Sequence, residues 1–123
     1  AIMSDRIPPG SLEKTVTVPF LGHPAQLPQG PFVLSFLMEC PVFSLFCLRQ
    51  GTNRYRVIMD KLSDRLELPR AKRQELLTQV AAKFCEQLQS ACMEAPHQWF
   101  NFYDYWADAS SSAKPPLRPV RHV

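Results

Sequence analysis

The chain has 123 residues, 46% of them hydrophobic and 20% charged, with a formal net charge of +3. This is the composition of one ordinary globular domain, and it excludes a disordered, collagen-like or multidomain chain. No apolar run reaches the roughly 20 residues of a transmembrane helix, and the mild, dispersed positive charge predicts no nucleic-acid partner.

Taken in chain order, Ala1–Ser4 read as the end of a buried strand with Asp5 and Arg6 at its mouth. The opening "AIMSDR" looks like a cut through a strand, so an upstream portion is expected. "IPPGS" is a turn. Thr15–Leu21, with β-branched and aromatic residues in rough alternation, predicts a strand. The prolines and glycines of Gly22–Gly30 then predict a constrained loop. Pro31 suits the first turn of a helix, where its missing N–H costs nothing. The run Phe32–Met38 continues that helix and Pro41 ends it.

Val42–Leu48 is a nearly unbroken apolar run, which predicts a strand buried on both faces. The turn "RQGTN" and the segment Arg54–Leu62 make it one arm of a hairpin. The longest element is a helix from about Arg70 to Glu94. Leu77, Val80, Ala81, Phe84, Leu88, Ala91 and Cys92 fall on one stripe at three- and four-residue steps. Its charged face reads as solvated.

His97–Trp106, "HQWFNFYDYW", holds six aromatics in ten residues. As a helix it places Trp99, Phe102, Tyr103 and Trp106 together; as a strand, Trp99 and Tyr103 share a face with Asn101. Core packing against the long helix and an interfacial belt at lipid headgroups both fit such a composition. Residues 107–123 form a Ser/Pro-rich basic tail that reads as flexible. Strands alternating with helices over residues 1–106 predict an α/β layer.

Little in this pattern carries chemistry by itself. Cys40, Cys47, Cys85 and Cys92 show no C-x-x-C pair and no zinc spacing, and each lies in an apolar segment, so they read as reduced core thiols. No nucleophile elbow, phosphate-cradling glycine motif or metal-ligand spacing is present. His23, His97 and His122 have no carboxylate at a catalytic spacing, and His23 reads as a loop residue bonded to backbone. A small hydrolase using His23 or His97 is a minor alternative. The candidate site is therefore Asp5 and Arg6, an ion pair placed directly after a strand, with the Gly22–Gly30 loop beside it.

The order of the segments is more specific than any one of them. "IMSDR", then "VPFLGHPAQLPQGPFVLS", then "CPVFSLFCLR", then a long helix ending in "APHQWF", resembles the C-terminal half of the bacterial lipid A biosynthesis acyltransferases. These are the lauroyl and myristoyl transferases of the glycerolipid acyltransferase superfamily. Pro19, Phe20, Gly22, Pro24, Ala25 and Gly30 match the family's loop; Pro41 and Val42 match its strand entry; Pro96 and Gln98 match its close. "QWFNFYDYW" departs from the basic ending of the lipid A enzymes.

The resemblance implies a partial acyltransferase-like sheet with packed helices. It implies transfer of a fatty acyl chain from an acyl carrier protein thioester to a hydroxyl of a lipid or glycolipid, at the cytoplasmic face of the inner membrane and without a cofactor. It implies substrate contact at Asp5 and Arg6, with Gly22 and Gly30 letting backbone approach the substrate. The superfamily's catalytic H-x4-D/E is absent, since Pro28 stands five residues after His23 and Phe102 five after His97. Hence no catalytic residue is assigned, and the chain alone is expected to be inactive. The alternative is a non-catalytic module that binds membrane or acyl carrier protein. A sheet cut between strands would also favour an oligomer through its exposed edge.

Overall fold

A computed structural model describes residues 1–7 and 11–106. The flexible tail expected from residue 107 onward, and the centre of the expected "IPPGS" turn, lie outside the described residues. The elements are β1 (Thr15–Phe20), β2 (His23–Pro28), α1 (Gly30–Leu37), β3 (Val42–Arg49), β4 (Tyr55–Ser63) and α2 (Arg73–Glu94), closed by a short 3-10 turn, Pro96–Gln98. The fold is mixed α/β, as expected, but it holds two separate antiparallel hairpins, β1–β2 and β3–β4. Ala1–Ser4 form no strand, and Ala1–Met3 are exposed.

The expected Gly22–Gly30 loop is mostly strand. Its prolines permit this because of their phase. Leu21 and Gly22 both have positive φ, 50° and 83°, and form the two-residue turn whose twist suits a hairpin. Phe20 then pairs with His23, Val18 with Ala25 and Val16 with Leu27, while Pro19 faces Pro24 and Thr15 faces Pro28. In this alternation every proline takes a position whose N–H would point away from the partner strand, so none removes a ladder bond. Gly22 is required by its φ, and a Cβ there would meet nothing within 4 Å. Gly22→Ala is therefore expected to destabilise the fold by about 1–2 kcal/mol through left-handed backbone strain alone, read as a shifted urea midpoint.

The long helix conforms to its sequence pattern. The whole expected stripe is buried, together with Cys85. It packs on the inner face of β1–β2, where Val16, Val18, Phe20, Ala25 and Leu27 are at most 1% exposed. α1 holds Pro31 in its first turn as expected, with the Gln29 carbonyl accepting from Phe32 and Val33. It ends in a left-handed cap at Glu39, φ 51°. Glu39 N–H donates to the Phe36 carbonyl and Cys40 N–H to that of Ser35, the reciprocal pattern that glycine usually supports.

The second hairpin corrects one expectation. β3 is covered on one face only: Ser44 and Leu48 are buried and Phe46 stacks on Phe84 of α2, but Phe43, Leu45 and Cys47 point outward. Across the register these three face Lys61, Met59 and Val57. The apolar run was two-sided as read, yet α2 supplies a single covering layer. Cys47 is accordingly an exposed thiol and Cys40 a half-buried one, while Cys85 and Cys92 are core residues. Burial pushes the Cys85 thiol up to about 12 and raises that of Cys92, with the nearby Asp5 charge adding to it.

The aromatic segment is neither helix nor strand. After the 3-10 turn it runs irregularly and wraps the end of β1. Phe20, fully buried, has Trp99 at 5.3 Å, Tyr105 at 5.6 Å and Trp106 stacked at 6.0 Å between ring centroids. Phe102 is exposed. Core packing is thus what Trp99, Tyr105 and Trp106 do.

Candidate substrate site

Asp5 and Arg6 are held together and anchored by this aromatic segment. Arg6 donates from Nε and Nη2 to one oxygen of Asp5, at 3.0 and 2.9 Å, and from Nη1 to the Phe100 carbonyl at 3.0 Å. The Asp5 carboxylate raises the guanidinium pKa above its usual value, against a smaller opposing effect of burial. The Tyr105 hydroxyl donates to the Asp5 carbonyl. Three of the five guanidinium N–H groups are thereby engaged within the protein, which leaves two for an oxygen-rich ligand.

Asp5 also lines a groove of about 800 Å³. Ala1–Asp5 and β3 residues Val42–Leu48 line it, α1 contributes Phe32 and Leu34, and α2 contributes Phe84 and Leu88. Gln98 and Trp99 also line it. The Trp99 indole N–H is buried with no partner among the described residues.

The other two candidate residues are elsewhere. Gly22 is at the tip of β1–β2 and Gly30 at its base, about 20 Å apart for strands of this length. Gly22 is near Asp5 only through the aromatic cluster: the Trp106 indole donates to the Phe20 carbonyl and stands 6.1 Å from the His23 ring, while Tyr105 reaches Asp5. Gly30 has an ordinary φ, and a Cβ there would meet only the flexible end of Glu13. The structure joins Asp5 to Arg6, places Asp5 with Gln98 and Trp99 in the lining of one groove, and does not bring Gly22 and Gly30 to them. His23 and His97 are exposed and form no ion pair among the described residues.

Sequence reasoning missed Gln98 as a structural group. Its carboxamide accepts from the Arg49 N–H at 2.7 Å and donates to the Arg49 carbonyl at 2.8 Å. A glutamine just after the proline that closes α2 was the available signal.

Compared with known families, residues 9–107 match the family model described as bacterial lipid A biosynthesis acyltransferase. The chain belongs to that family. Comparison with curated proteins and with solved structures found no match. Most of the described fold, from before β1 to Trp106, lies inside the matched region of the lipid A biosynthesis acyltransferase family. Asp5 and Arg6 precede it. No helix among the described residues is long and apolar enough to cross a membrane.

Proposed function

We propose that the chain is the substrate-side portion of an enzyme that moves a fatty acyl group from an acyl carrier protein thioester to a hydroxyl of a lipid or glycolipid at the cytoplasmic face of the inner membrane. The family match over residues 9–107 carries the reading. In this reaction the hydroxyl oxygen attacks the thioester carbonyl, an ester forms, and the thiol leaves with a proton. The base that accepts the hydroxyl proton belongs to an H-x4-D/E sequence that this chain lacks, so it is inactive until another segment supplies one. Asp5 and Arg6 are proposed to contact the polar end of a substrate, the two remaining guanidinium N–H groups suiting phosphate or carboxylate oxygens.

The test is acyl transfer from a labelled acyl carrier protein thioester. The chain alone is expected to give no turnover. The chain fused behind the H-x4-D/E half of a family member is expected to turn over, and Arg6→Ala in the fusion to lose roughly tenfold or more, a barrier change of ~1.4 kcal/mol. Turnover by the chain alone, or a folded fusion that binds neither donor nor acceptor, would overturn the reading.

A second reading, a non-catalytic membrane-binding module, is favoured by one observation. The outer face of β3–β4 presents Phe43, Leu45, Tyr55, Val57 and Met59, with Arg49 at one end and Lys61, paired to Asp64 at 2.7 Å, at the other. Sedimentation of the chain with anionic vesicles, without turnover in the fusion, would favour it.

A further inference from the structure

The aromatic segment has an outer side that the core does not use. Trp99, Tyr105 and Trp106 converge on Phe20, but Phe100 and Phe102 are 66% and 92% exposed. Phe100 shares a cleft of about 540 Å³ with Gln98 and with Cys47, Arg49, Gly51 and Tyr55 at the tip of β3–β4. Arg49 and Tyr55 are register partners. The Gln50 N–H donates to the Arg54 carbonyl at 2.7 Å, which makes Arg49 and Tyr55 a non-hydrogen-bonded pair with closely spaced side chains. The turn orients the guanidinium: Arg49 Nε donates to the Gly51 carbonyl at 2.9 Å and Nη2 to the Thr52 carbonyl at 3.2 Å. Three of its N–H groups remain. Arg49–Arg56 holds three arginines and no acidic residue. Arg56 pairs with Glu94, whereas Arg49 and Arg54 form no ion pair among the described residues. Gln98 fills both backbone positions of Arg49 on the β3 edge, so a strand added along β3 stops short of this cleft. Its two sides are built from the chain's own residues.

We propose that this cleft seats the phosphate of an anionic phospholipid, with Arg49 forked onto the phosphate oxygens and Tyr55 and Phe100 in the headgroup layer. A guanidinium already held by two carbonyls is pre-organised for a second fork onto phosphate. An anionic surface draws arginines that have no carboxylate of their own. Exposed rings beside such cations suit the boundary between headgroup and acyl chain, where amphipathic and aromatic side chains are favoured. A soluble phosphate would engage Arg49 but would leave the rings in water, and a lipid surface takes up both. The bilayer then meets the tip of β3–β4, and not the row Phe43, Leu45 and Met59 along its outer face. The inference deepens the membrane location proposed above and rests on that reading for its setting, but it requires no acyl transfer.

Cosedimentation of the 123-residue chain with vesicles of phosphatidylcholine and phosphatidylglycerol in equal parts tests it. Binding is expected, and Arg49→Gln is expected to weaken it about tenfold or more, the loss typical of a charged hydrogen-bonded contact. Arg49→Lys keeps the charge without the fork and is expected to restore only part. Arg54→Gln removes an equal charge outside the cleft and is expected to cost clearly less. Should Arg49→Gln fail to fold, the wild type supplies its own reporter. The exposed Cys47 thiol lies in the cleft, so bound vesicles are expected to slow its reaction with an uncharged maleimide, read from the mass of its peptide. Absence of binding, equal losses from Arg49→Gln and Arg54→Gln, or unslowed Cys47 labelling in the bound state would overturn the proposal. So would protection of Cys47 by inorganic phosphate without vesicle binding, or binding lost in Met59→Ser and kept in Arg49→Gln. Vesicle binding through Arg49 without turnover in the fusion would leave this site standing while the acyl-transfer reading fell; turnover without vesicle binding would do the reverse.

Discussion

Phe20→Ala is expected to destabilise the protein by about 3–5 kcal/mol, the largest loss from any one side chain. Phe20 is fully buried and is the shared contact of Trp99, Tyr105 and Trp106. Its removal opens a cavity that three large rings cannot fill without leaving their own partners. One of those partners is the Asp5 carbonyl, bonded by the Tyr105 hydroxyl. The loss is therefore expected to reach beyond β1 and loosen the Asp5–Arg6 pair. A single domain has about 5–15 kcal/mol of stability in total, so the variant should unfold at much lower urea and lose near-ultraviolet aromatic dichroism at an earlier midpoint. A change below about 1 kcal/mol would show that the aromatic segment is held by something other than Phe20.

The second large effect is alkaline instability. Burial raises the pKa of Cys85 from 9.0 to about 12 and pushes Tyr105 well above its ordinary 10.0. Below pH 9 both groups are protonated in the folded and the unfolded chain, and their contribution is complete. As pH rises past 9 for the thiol and 10 for the phenol, the unfolded chain releases protons that the folded chain retains. Stability is then expected to fall by up to about 1.4 kcal/mol per pH unit for each group. For Cys85 the fall ends near pH 12, where the folded thiol itself ionises. Urea midpoints measured from pH 8 to 11 should show this slope. Cys85→Ala should make the slope that begins near pH 9 shallower, leaving the share of Cys92, whose thiol burial also raises, and Tyr105→Phe should flatten the part above pH 10. A flat profile in the wild type would mean that neither group is as buried as the fold places it.

Much of the fold was legible where one period dominated. The seven-residue stripe of α2 and the alternation of Val16, Val18 and Phe20 each point to one buried face, and both faces are buried as read. β2 was not legible because Pro24 and Pro28 signal a break, and only their register against β1 makes them harmless. Pro19 and Pro24, placed symmetrically about Leu21–Gly22, were the sign of that register. β3 shows the reverse problem. Its two-sided apolar pattern was real, but the number of layers covering it is a property of the assembled fold and not of the strand. The aromatic segment could not be assigned because its rings obey neither period; they converge on Phe20 from an irregular path. Of the candidate site, the Asp5–Arg6 ion pair was legible from the adjacency of opposite charges alone, since the strand expected before it does not form. The role of Gln98 was not, since capping Arg49 depends on a contact across 49 positions of sequence.

The placement of the prolines has one more consequence. Pro19 lies on the outer side of β1, and Pro24 and Pro28 lie on the outer side of β2, so each rim of that hairpin is missing donors where an incoming strand would need them. Templated polymerisation cannot propagate through a rim that fails to offer a complete ladder. Both rims of this hairpin are thereby closed to strand addition. The same prolines that disguise a strand as a loop thus act as stoppers against fibres.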